Sequence, residues 1–105
     1  MPTQKSGFQQ LVGGQRPVLI DFYADWCGPC KAFAPVLDRF KQEVGGDVRI
    51  VKIDIDKNQA LAQRLGVQSI PTVMLYQGGE LKWRVTGAPS LSAMRQEVRK
   101  LANPA

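Results

Sequence analysis

The chain has 105 residues, 44% hydrophobic and 22% charged, with 14 Lys and Arg against 9 Asp and Glu for a net charge of +5. That length predicts one domain over residues 1–105 with a core that needs no staples, and no apolar run reaches the roughly 18–20 residues that span a bilayer, so no membrane partner is expected. Histidine is absent, which excludes imidazole as base, acid or metal ligand, and the cations are spread over every segment, which favours a solvated basic surface over specific nucleic-acid contact.

Ser6-Gly-Phe-Gln9 has the spacing of a capping box, predicting a short helix that Gly13-Gly14 ends. Pro17 to Tyr23 is a continuous apolar run of strand length, interrupted only by Asp21. From Pro29 to Val44, Phe33, Val36, Leu37, Phe40 and Val44 recur at helical spacing, with Pro29 suited to the first turn and Gly45-Gly46 to the stop. Pro35 inside that helix predicts a kink. Val48 to Ile53 reads as a second β-branched strand, and Asp56 with Gln59 reads as the cap of a short helix through Leu65. Thr72 to Gln77 and Glu80 to Thr86 are strand-like and joined by Gly78-Gly79, a hairpin signal. Ser90 to Leu101 closes the chain as an amphipathic helix with Arg99 and Lys100 in its last turn.

Strands separated by helices predict parallel pairing, and the hairpin adds an antiparallel edge. The expected fold is α/β, a small central mixed sheet with helices on both faces. Cys27 and Cys30, the only cysteines, then fall at the carboxyl end of the central strand and at a helix start. Ligand sites of open α/β sheets lie there.

Taken as the native start, MPTQKSGFQQ lacks the pattern of a secretory leader, which predicts a cytoplasmic protein. Structural disulfides rarely persist in a reducing cytosol, and a bridge closing so short a loop removes only about 2 kcal/mol of chain entropy. A zinc site would need more Cys or His than the chain holds, unless a dimer shared it. The pair therefore reads as redox-active. Cys27, nearer the loop, is expected to be the exposed nucleophile. Cys30, one turn into the helix, is expected to be shielded and to donate a hydrogen bond to it. Unpaired N–H groups at the helix start favour the Cys27 thiolate, although the lower basicity offsets part of the gain. A larger advantage comes from position, because Cys30 attacks any mixed disulfide at high effective molarity.

Two further residues have open readings. Asp21 is either a buried carboxylate whose raised pKa makes it the proton acceptor for Cys30, or a strand-end acid bonded to backbone or water. Lys52 is either the cation that tempers Asp21 or an ordinary outward lysine.

DFYADWCGPCK at Asp21–Lys31, SIPT at Ser69–Thr72 and TGAP at Thr86–Pro89 together resemble the thioredoxin family, from about Ser6 onward. The resemblance implies that Cys27 attacks a substrate disulfide, that Cys30 resolves it, and that the two alternate between dithiol and disulfide. It matches Asp21 to the family's buried acid and Lys52 to its neighbouring lysine. It also implies that Pro71 is a cis-proline facing the sulfurs, beside a docking surface of Trp26, Gly28, Pro29, Ile70 and Gly87. Ile70 would pair its backbone with an extended substrate. Trp83 is expected to be packing. The implied activity is that of a protein-disulfide reductase and electron carrier in cell redox homeostasis. It holds no metal or bound cofactor and acts as a monomer on disulfide-containing clients. NADPH would supply its electrons through a thioredoxin reductase. Gly28-Pro29 carries no charge to favour the thiolate further, which implies a reductant. Tyr23 stands where tryptophan is common. The segment before the first helix is short, so the family's first edge strand is expected to be truncated or missing. The basic charge implies a preference for acidic partners. A non-redox scaffold on the same fold and a nucleic-acid binder are the rival readings.

Overall fold

The computed structural model describes residues 6–102. Helix α1 (Gly7–Val12) begins with the expected capping box: Ser6 Oγ accepts from the Gln9 N–H at 3.1 Å, and Gln9 Oε1 accepts from the Ser6 N–H at 2.9 Å. Strand β1 (Val18–Tyr23) leads into the long helix α2 (Gly28–Val44), which runs on through Pro35 and stops where the Gly45 N–H donates back to the Lys41 carbonyl. A 3-10 turn (Gly45–Asp47) precedes strand β2 (Arg49–Asp54). Helix α3 (Gln59–Arg64), strands β3 (Thr72–Gln77) and β4 (Glu80–Thr86), and helix α4 (Leu91–Ala102) follow. The β3–β4 turn is built on Gly78 and Gly79 at φ +61° and +81°, conformations that side-chain-bearing residues rarely adopt. Ser90 sits just outside α4, its hydroxyl accepting from the Ala93 N–H at 3.0 Å.

The four strands are ordered β2-β1-β3-β4. β1 and β2 pair in parallel, as expected, with Asp21 opposite Lys52 and Tyr23 opposite Asp54. β3 departs from the expectation: it runs antiparallel to β1, with Thr72 opposite Phe22 and Tyr76 opposite Val18. The connection over 55–71, with its short helix α3, brings the chain back at the end at which β2 left, so β3 meets β1 in an antiparallel ladder.

A second departure concerns Asp56. It does not cap α3; Asn58 precedes that helix and makes no side-chain cap bond. The Asp56 carboxylate is committed elsewhere, to Trp26. No strand precedes α1 among the described residues, and the segment on which a truncated edge strand was expected lies largely outside them.

Alternation along β1 divides the core between two faces. Val18, Ile20 and Phe22 pack with Val12, Met74 and Tyr76 on the α1/α3 side. Leu19 packs with Phe33, Leu37, Phe40, Leu75 and Met94 on the α2/α4 side, and Trp83 lies partly buried against that cluster, consistent with a packing role. Asp21 and Tyr23, two and four residues beyond Leu19, share the second face with α2.

Candidate active site

Cys27 is the N-cap residue of α2, and its sulfur accepts from the first turn of the helix. The Cys30 N–H donates to Cys27 Sγ at 3.1 Å. Pro29 occupies the first turn, where its missing N–H costs nothing. Cys27 and Cys30 are joined as a disulfide with Cα atoms 5.3 Å apart, comfortably within the range such bridges adopt. A helix start therefore holds the sulfurs together and aims one N–H donor at Cys27 Sγ, which favours negative charge there.

The contrast expected between an open Cys27 and a shielded Cys30 is absent in this oxidised form. Relative exposures are 4% and 6%. The bonded sulfurs screen each other, while Tyr23, Ile55 and Ile70 pack against them. The hydrogen bond expected from Cys30 is present, but its backbone N–H supplies it.

Facing the disulfide is the Ile70–Pro71 segment, joined by a cis peptide bond. The Ile70 carbonyl oxygen lies 3.8 Å from Cys27 Sγ. Pro71 is buried and Ile70 half-buried. Beside them Gly87 donates its N–H to the Pro71 carbonyl at 2.7 Å, and its φ of +96° is one that an L side chain would strain. Gly87 thus fixes the loop that Pro71 occupies, and its own N–H is already taken. Trp26 is 68% exposed, and Gly28 and Pro29 are exposed next to it. Of these residues, Ile70 packs against the sulfurs.

Asp21 lies on the α2 side of the sheet at 1% exposure, and its Oδ1 has no hydrogen-bond partner among the described residues. Burial pushes its carboxyl up to about 6, against a smaller lowering by the Lys52 ammonium. Asp21 lies inside β1 and is desolvated, which speaks against the strand-end reading. Lys52 is opposite it in the parallel register. Its Nζ is 4.7 Å from the centroid of the Tyr23 ring. A recess of about 140 Å³ opens between Tyr23, Asp25, Cys30, Lys31 and Lys52, giving solvent an approach to the Cys30 side of the pair. Among the described residues no group of three or more His, Cys, Asp or Glu could hold a metal ion, and no helix is long and apolar enough to cross a membrane.

Two participants escaped the sequence. Asp56 Oδ2 accepts from the Trp26 indole N–H at 2.8 Å, across 30 residues, and no local pattern announces that bond. Tyr23 was legible in principle: it lies two residues beyond Asp21, hence on the same face, and the parallel register brings Lys52 to it.

The Thioredoxin family model matches residues 1–100. Over 84 residues the chain is 50% identical to thioredoxin 1 of Chlorobaculum tepidum, covering 80% of this chain and 83% of that one. Over 96 residues it is 40% identical to the bifunctional thioredoxin reductase/thioredoxin of Mycobacterium leprae, covering 91% of this chain and 21% of that longer protein. Its backbone follows that of oxidised mitochondrial thioredoxin 3 from Saccharomyces cerevisiae with a TM-score of 0.79, at 35% identity, over 89% of this chain and 86% of that one. With the disulfide at a helix start already accounted for by its own residues, the chain belongs to the thioredoxin family and is a protein-disulfide oxidoreductase working by dithiol–disulfide exchange.

Proposed function

We propose that Cys27 is the attacking sulfur and Cys30 the resolving one, in a single-domain, monomeric, cytoplasmic electron carrier that reduces client disulfides. In the reduced protein the Cys27 thiolate attacks one sulfur of the client. The client disulfide breaks, a mixed disulfide forms, and the first client sulfur leaves as thiolate. Asp21 takes the proton from Cys30, directly or through water in the recess, and Lys52 limits how far the Asp21 carboxyl is raised. The Cys30 thiolate then attacks Cys27 Sγ. The second client sulfur leaves, and two electrons have passed from the protein to the client, with Cys27–Cys30 left as the disulfide. Trp26, Gly28, Pro29, Ile70 and Pro71 dock the client, Ile70 by backbone pairing, while Gly87 holds the Pro71 loop in place.

The protein needs no resident cofactor; NADPH restores the dithiol through a thioredoxin reductase. The fusion of these two activities in the Mycobacterium leprae relative supports that partner. The observation that carries the role assignment is the placement of Cys27 at the α2 N-cap, with its sulfur facing the Ile70 carbonyl and receiving the Cys30 N–H. It is tested with Cys30→Ser. Incubated with a disulfide-bonded client, that variant should accumulate a covalent adduct through Cys27 that a thiol reductant dissolves. Adducts that form instead through Cys30 in the reciprocal Cys27→Ser variant alone would reverse the two roles.

A further inference from the structure

Position 23 does more than pack. The register places Lys52 opposite Asp21, and the alternation of β1 places Asp21 and Tyr23 on one face, so all three side chains leave the sheet toward α2. Lys52 is exposed, and the head of an exposed lysine ordinarily wanders in water. Among the described residues no carboxylate lies within 4.0 Å of it. Its ammonium instead stands over the Tyr23 ring, 4.7 Å from the centroid. Tyr23 lies two residues beyond Asp21, roughly 6.6 Å along the strand and on the same face, so a cation held over its ring stays on the face that carries Asp21. Tyr23, Lys52 and Cys30 together line one recess.

We propose that Tyr23 is a positioning residue for the exchange reaction: its ring holds the Lys52 ammonium against the sheet, so that this cation acts steadily on Asp21 and is not lost to solvent. The inference rests on the reading of Asp21 as proton acceptor. Other groups around the site do not substitute for Lys52. Asp54, on the same strand, accepts the Asp56 and Lys57 N–H groups on its Oδ1. Asp25 in the loop and Lys31 on α2 line the outer recess. From α2 come Cys27 and Cys30, bonded to each other, while β3 offers Val73 opposite Asp21 and α4 offers Met94, both apolar. Lys52 is the cation whose charge lowers the Asp21 carboxyl. The face of the ring makes the contact, so phenylalanine or tryptophan should serve as well as tyrosine.

The test titrates the Asp21 carboxyl carbon by NMR in the oxidised protein. Tyr23→Leu should raise the Asp21 midpoint by about half a pH unit, as the cation is released into water. Tyr23→Phe should leave it in place. Lys52→Met should raise it at least as far as Tyr23→Leu does, and adding Tyr23→Leu to Lys52→Met should raise it no further. An unchanged or lowered midpoint in Tyr23→Leu overturns the proposal, and so does an equal rise from that substitution in the Lys52→Met background. The pH dependence of the resolving step separates this from the reading beneath it. A carboxyl shift matched by the acid limb of the rate supports both. A carboxyl shift without movement of the rate upholds the hold of Tyr23 on Lys52 and refutes Asp21 as acceptor.

Discussion

The two faces of the sheet are packed alike for most of their area and diverge at one end. On the α1/α3 side, Val18, Ile20 and Phe22 meet a hydrophobic cluster, and 0% exposure at Ile20 and Phe22 records how completely that side is sealed. On the α2/α4 side the same strand offers Leu19 to an equally apolar cluster, then Asp21, buried as deeply as its neighbours. The difference is one residue type at one position, made effective by alternation. A slip of one residue would turn the acid to the other face and leave the cysteines without it. The sealed face supplies stability, and the other face gives some of it up to bury an ionisable group.

Truncation on the sealed face should give the largest effect. Phe22→Ala leaves a cavity on the α1/α3 side and should cost about 3–5 kcal/mol in denaturant unfolding, with the pH dependence of exchange unchanged in whatever remains folded. Were the acid limb of the rate to move as well, the faces would not be separable.

Asp21→Asn tests the other face and should come next. Because the folded protein holds the Asp21 proton more tightly than the unfolded chain, ionisation penalises the native state. The penalty is absent below about pH 4, where both states are protonated, and complete above about 6, where both are ionised. Wild-type stability therefore falls as pH rises through that window. The advantage of Asp21→Asn over wild type should grow by about 2–3 kcal/mol between pH 4 and 8 in parallel unfolding curves, while client reduction slows. A difference that does not vary with pH would mean that Asp21 carries no buried charge. The smallest effect belongs to the rim. Asp56→Ala frees the Trp26 indole and should cost no more than about 1 kcal/mol of stability, appearing instead as a roughly threefold rise in KM for protein clients.

The sequence was most legible where structure is local. β3 and β4 span the strand-like runs on either side of the Gly78-Gly79 pair, and the Ser6/Gln9 box forms with both of its bonds. The positions of Cys27, Cys30 and Asp21 follow from strand and helix periodicity, and the family resemblance adds the partner loop. What escaped was set by contacts between distant segments. Asp56 has the spacing of a helix cap, yet an indole 30 residues away claims its carboxylate. The direction of β3 is set by the end of the sheet to which the 55–71 connection returns, which no local pattern announces. The exposure of Cys27 depended on its sulfur being bonded, since each member of a closed pair hides the other.

The hairpin tip, at the opposite end of β3 from the site, is tied to the chain leaving α1. Gly78 donates its N–H to the Gly14 carbonyl and Gly79 donates to that of Val12, both at 2.8 Å, while the Gln77 side-chain amide reaches the Gln15 carbonyl at 3.0 Å. A glycine pair between two strands looks like a convenient place to graft a recognition peptide or splice in a reporter. Here such a cargo would have to unpick the seam that ties the hairpin to the chain leaving α1, and would loosen the molecule at both places at once.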